Sequence, residues 1–160
     1  RANVLRFGRP EELKVSTSES GVSQIGNDGQ LPYGNWREWV SEPLDAGSEW
    51  GTKLHQLNKD LDGAGKPFGH RVFRGILAYT ANYPDKSGAG QKNAFADQLE
   101  IKILPKLRGL EMDNPQSRVL MESLQRVIEE TDDTDLFGAF EESKKRADNS
   151  GFFSFLGVQR

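Results

Sequence analysis

The chain has 160 residues, enough for one well-packed core but not for two generous ones. A hydrophobic content of 35% is low, a net charge of -3 offers no general attraction for nucleic acid, and the lack of cysteine excludes disulfides, thiolate zinc sites and thiol nucleophiles. No stretch approaches the roughly 20 consecutive apolar residues of a membrane span and no signal peptide opens the chain, so a soluble, cytoplasmic protein is expected.

The chain opens without methionine on Arg1-Ala2-Asn3-Val4-Leu5-Arg6-Phe7, where Val4, Leu5 and Phe7 read as a short strand already under way, so a cut through a longer protein is expected. From about Val15 to Asn35 the chain is rich in Ser, Gly, Asn and Gln, and breakers such as Asn27-Asp28-Gly29 and Leu31-Pro32 predict a long polar loop. Tyr33, Trp36 and Trp39 then mark a return to packing, with a short helix over Trp36 to Ser41 stopped by Pro43.

Five helices are predicted after Gly47. Trp50, Leu54, Leu57 and Leu61 recur at spacings of four, three and four, one apolar stripe on a helix that Asp62-Gly63-Ala64-Gly65 ends. A second helix over Gly69 to Asn82 carries Val72, Phe73, Ile76, Leu77 and Tyr79, and Pro84 closes it before a flexible loop. A third over Asn93 to Leu104 uses Phe95, Leu99 and Ile103, with Pro105 pushing Leu104 away from helical angles.

Asn114-Pro115, a capping side chain followed by proline at the first helical position, opens a fourth helix with Val119, Leu120, Leu124, Val127 and Ile128. The fifth spans Asp133 to Arg146, acidic at its start and basic at its end as the helix dipole favours, with Leu136, Phe137 and Phe140 inward. The tail Gly151-Phe152-Phe153-Ser154-Phe155-Leu156-Gly157 is apolar enough that it should dock between helices.

Catalytic patterns are mostly missing. A phosphate loop needs Gly, four residues, then Gly-Lys-Ser/Thr; before Gly65-Lys66 the first glycine is replaced by Asp60 and Pro67 follows the lysine, and Gln91 separates Gly90 from Lys92. Both stretches read as turns. Asp133-Thr134-Asp135-Leu136-Phe137-Gly138 starts like a calcium loop but has Phe137 at an oxygen-ligand position, and His55 and His70 lack metal-ligand spacing, so no metal site is expected. No Gly-x-Ser-x-Gly elbow exists for a hydrolase, and the neighbours Glu141 and Glu142 point to different helix faces.

One stretch carries functional weight. Pro67-Phe68-Gly69-His70-Arg71-Val72 runs from a turn into an apolar helix and places Arg71 in its first turn, where the helix dipole mildly opposes a cation. Such a residue suits an anion; pairing with Asp60 or Asp62 is the plain structural alternative.

Three stretches together resemble the McrB-type branch of AAA+ nucleotide-driven proteins, the motor subunits of methylcytosine-specific restriction systems and their relatives. Arg1 to Phe7 resembles the family's Asp-Arg-Ala-Asn-Val-x-x-Phe entry to the last core strand, and Phe68-Gly69-His70-Arg71-Val72 its Phe-Gly-Tyr-Arg-Val stretch. Ala94 to Gly109 resembles Phe-Asp-x-Gln-Ile-x-x-Lys-Ile-Leu-Pro-Lys-Leu-Arg-Gly, the most specific of the three. The ending Ser150 to Phe155 is similar to Gly-Phe-Thr-Ser-Phe-Trp, with Leu156 in place of tryptophan.

The resemblance implies a mainly α fold, a helical bundle like an AAA+ C-terminal lid with a short N-terminal strand and a long polar loop. Residues 1–13 would end the AAA+ core, 14–46 would be a loop-rich insertion and 47–160 the lid. His70 and Arg71 would lie at nucleotide, Arg71 as the second sensor reaching the γ-phosphate, and Arg1 where an arginine is supplied to a neighbouring subunit's nucleotide.

It further implies no cofactor in this piece alone, with ATP or GTP and magnesium bound by the parent protein. The implied partners are the upstream core of the same chain, neighbouring subunits of a ring and a nuclease subunit, with no membrane and no direct nucleic-acid contact. The piece alone should not hydrolyse nucleotide. Two further readings stand beside this one: a helical protein-interaction domain without motor role, and a stand-alone small enzyme, disfavoured because no site is found.

Overall fold

The computed structural model describes residues 40–158. Arg1, the N-terminal strand, the polar segment up to Trp39 and most of the short helix over Trp36 to Ser41 lie outside the described residues. The chain divides after Val40, and the unit that starts at Ser41 is mainly helical. Its elements are α1 (Glu49–Gly63), α2 (His70–Ala81), α3 (Gly88–Gln98), β1 (Leu110–Glu111), α4 (Pro115–Glu129), α5 (Thr134–Ser150) and β2 (Phe152–Phe153). Among the described residues no helix is long and apolar enough to cross a membrane.

The Ser48 hydroxyl caps α1 by accepting from the Gly51 amide at 3.2 Å, and Glu49 sits favourably in the first turn. Trp50, Leu54, Leu57 and Leu61 are all buried, as their spacing predicts, and α1 packs chiefly on α4. Asn114 caps α4 through the Gln116 amide at 2.9 Å. Ser117, Leu120, Met121, Leu124 and Ile128 form its inner face, which leaves Val119 on the far side and 50% exposed, not in the stripe where it was expected.

α3 differs most from expectation. It begins at Gly88, inside the stretch predicted as loop and turn. Asp85 accepts from the Ser87 amide at 2.8 Å and from its hydroxyl at 2.9 Å, and Ser87 in turn caps the helix through Gly90 N at 3.2 Å. A local cap thus outweighs the poor helix propensity of Gly88 and Gly90.

These two hydrogen bonds hold the Asp85 carboxyl below its ordinary pKa. A carboxyl whose folded-state pKa is lowered adds stability above the unfolded-state value and loses it as pH falls through the folded-state value. Asp85→Ala should therefore lower the urea midpoint near neutral pH, by a margin that shrinks as the medium is acidified. A margin independent of pH would assign the loss to packing instead.

Beyond Gln98 the helical path continues as a π turn, Leu99–Ile103, and a 3-10 turn, Leu104–Leu107. Pro105 does not push Leu104 out of helical angles: Leu104 has φ -58° and ψ -39°. Proline sits in the first turn of the new segment, where its missing N–H is not needed. Phe95, Leu99, Ile103, Leu104 and Leu107 are at most 1% exposed and form the centre of the core.

Asp133 caps α5 by accepting from the Asp135 and Leu136 amides at 3.1 and 2.9 Å. The helix runs past Arg146 to Ser150 and ends at Gly151 in the left-handed region, φ +78°. Lys144, Lys145 and Arg146 therefore lie inside the helix and not in its last turn; Lys144 pairs with Glu141 at 3.1 Å and Arg146 with Glu142. The tail docks only in part, and by strand pairing instead of in a groove between helices: Phe153 is buried, while Phe152 and Leu156 stay exposed. β2 pairs antiparallel with β1, Leu110 opposite Phe153, and the Phe153 ring is buried 5.8 Å from that of Phe140.

Candidate functional site

The loop before α2 is fixed from beneath. The Asn58 side chain accepts from the Phe68 amide at 2.8 Å and donates to the Phe68 carbonyl at 3.2 Å, replacing two backbone partners at once. The Phe68 ring is 5% exposed, so the loop is anchored by both polar and apolar contacts to α1 and the core. At its end Gly69 starts α2 with φ -84° and ψ 172° and offers no side chain to cap the first turn.

His70 and Arg71 thus stand exposed at an uncapped helix start on a rigid support. Backbone N–H groups left without a cap there carry a partial positive charge. Arg71 forms no hydrogen bond or ion pair with any described residue. Neither Asp60 nor Asp62 takes it; the Asp60 carboxylate instead accepts from Gln56 Nε2 at 3.1 Å. The pairing left open by the sequence is absent among the described residues, and the arginine is presented outward.

Lys102 belongs to the same surface, and sequence reasoning gave it no role. Carried by the π turn, it extends its ammonium along α2 at Gly75, one turn beyond Arg71. The signal available in the sequence was Gly75 itself, a helix-interior glycine with no turn to explain it.

Two clefts lie elsewhere. One of about 450 Å³ is lined by Met112, Arg118, Met121, Lys144 and Ala147, and one of about 350 Å³ by Ile128, Asp132, Thr134 and Phe137. Neither includes His70, Arg71 or Lys102; His70 and Arg71 are exposed and Lys102 is half-buried. Arg1, the other residue implied to act on phosphate, lies outside the described residues. Among the described residues no group of three or more His, Cys, Asp or Glu is placed to hold a metal ion.

Residues 33–150 match the model of a protein family described as a domain of unknown function, DUF8727. No curated protein and no solved structure matches the chain.

Proposed function

The chain belongs to the DUF8727 family, and from the resemblance of its Phe68–Val72 and Ala94–Gly109 stretches to McrB-type segments we propose that it is the C-terminal lid and oligomerisation piece of a McrB-type AAA+ nucleoside triphosphatase of a DNA defence system. In this reading the lid closes over ATP or GTP, and Arg71 is the second sensor at the γ-phosphate. The phosphate loop and the magnesium ligands belong to an upstream core. The observation that carries the proposal is Arg71 itself: exposed, without an ion-pair partner among the described residues, and held in an uncapped first turn by the Asn58 clamp.

A fixed cation contributes most where charge develops on a transferring phosphoryl group, since it needs no reorganisation during the reaction. The bound triphosphate supplies the leaving group and the energy of the cycle; Arg71 supplies charge and position. His70 flanks it on the nucleotide side. Arg1 would act across the boundary to a neighbouring subunit of the ring, and a nuclease subunit would use the motor's work.

The first test is the coding sequence upstream of Arg1. A Gly-x4-Gly-Lys-Ser/Thr motif followed by an acidic strand end is expected, and its absence would refute the motor reading. The isolated 160-residue chain should show no micromolar nucleotide binding by calorimetry and no hydrolysis.

A helical interaction domain without motor role is the second reading. It rests on Phe152 and Leu156, which remain 54% and 66% exposed after the tail has docked. That reading predicts that Phe152→Ser abolishes a partner contact while Arg71→Ala changes nothing.

A further inference from the structure

Among the described residues five lysines are half-buried: Lys53, Lys66, Lys92, Lys102 and Lys144. Four have oxygen partners. Lys53 pairs with Glu49 and Glu130, Lys92 with Asp132, Lys144 with Glu141, and Lys66 donates to the Arg108 carbonyl. Lys102 has none. Burial without a compensating carboxylate holds its pKa below the ordinary lysine value. A flexible lysine could escape this cost by swinging into water, yet here the half-buried Lys102 places its ammonium against α2 at Gly75.

The position of that ammonium is specific. Lys102 Nζ lies 3.4 Å from where a Cβ on Gly75 would be. Gly75 is four residues after Arg71 and on the same face of α2, so the two cationic residues occupy successive turns of one helix face. Side chains on a helix lean toward its N-terminus, which carries Arg71 farther from Lys102. Two cations separated in this way suit an extended polyphosphate better than a single compact anion.

We propose that Lys102 and Arg71 form a two-cation strip for a polyphosphate along one face of α2, with Gly75 lacking a side chain so that the lysine can lie against the helix. The chemical class of the ligand is a chain of phosphates. That its natural source is a nucleoside triphosphate rests on the lid reading above. Lys102 supplies a compact charge with rotatable donors and Arg71 a planar fork, and each forms charge-assisted hydrogen bonds to phosphate oxygens.

The test uses the 160-residue chain, inorganic tripolyphosphate and amide NMR at fixed ionic strength. Saturable shifts in the millimolar range are expected, concentrated on residues 70–75 and 99–103. Lys102→Met and Arg71→Ala should each weaken binding roughly three- to tenfold, the worth of one charge-assisted contact at a half-exposed site. Lys106→Met, which removes an exposed cation of the neighbouring turn, should leave it unchanged, and orthophosphate should bind more weakly than tripolyphosphate.

Lys102→Met should also keep or raise the melting temperature, because it removes an unpaired, partly desolvated charge; a merely structural lysine would lower it. Equal effects of Lys102→Met and Lys106→Met, or shifts spread over every basic residue, would overturn the proposal. If the strip binds tripolyphosphate but neither Arg71→Ala nor Lys102→Met alters nucleotide hydrolysis by the parent protein, the lid reading fails and the strip stands. If Arg71→Ala slows hydrolysis and Lys102→Met changes neither binding nor turnover, the lid reading stands and the strip fails.

Discussion

Phe95→Ala is expected to destabilise the helical unit by about 3–5 kcal/mol, the range for deleting a fully enclosed aromatic ring. Phe95 is 0% exposed and stacks on Trp50 with ring centroids 4.5 Å apart and planes inclined by 28°. That stack joins the start of α1 to the middle of α3. Over it, the Lys53 ammonium lies 4.6 Å from the Trp50 ring centroid and pairs with Glu130 at 2.7 Å.

Removing the ring therefore opens a cavity beside Trp50, in the contact between α1 and α3. Against a typical domain stability of about 5–15 kcal/mol, this is about a fifth of the total or more. Urea unfolding followed by Trp fluorescence would measure it. A loss below about 1 kcal/mol would mean that the Trp50–Phe95 stack is not the centre of the core.

Gly90→Ala should cost about 1–3 kcal/mol, although alanine is the better helix former by about 1 kcal/mol. A Cβ on Gly90 would lie 2.2 Å from the Asp85 carbonyl oxygen and 2.5 Å from Asp85 Cβ. The first obstacle is backbone, so the Asp85–Ser87 turn must move and its cap must loosen. Gly138→Ala gives the opposite sign. It lies exposed within α5 with nothing within 4 Å of an added methyl, and a gain of about 1 kcal/mol is expected. Thermal melts of the two variants check the pair, and equal signs would show that the close approach at Gly90 is not tight.

The helices with a clear apolar period were legible in the sequence. Trp50, Leu54, Leu57 and Leu61 define α1 by spacing alone, and Asn114-Pro115 marks the start of α4 because cap and proline chemistry are local. The start of α3 was not legible, since Gly88-Ala89-Gly90 looks like a turn unless one knows that Asp85 occupies the space a side chain would need. The π turn and the β1–β2 pairing were hidden for a similar reason. One depends on how Leu99 and Ile103 both reach the core, and the other joins segments far apart in the chain.

The candidate site divides along the same line. Arg71 stood out because a cation in a first helical turn is locally unfavourable, but its freedom from Asp60 and Asp62 is a fact of three dimensions. Lys102 gave no local signal at all. Its missing partner becomes visible only when the other half-buried lysines are seen to have theirs.

The central claim, that this family member is a lid whose Arg71 meets the triphosphate, is tested most directly by nucleotide hydrolysis in the parent protein carrying Arg71→Ala. Turnover should fall by roughly tenfold or more, the loss of one preorganised cation at the reacting phosphate, while the melting temperature stays unchanged because Arg71 pairs with nothing among the described residues. Unaltered turnover in a folded variant would contradict the account.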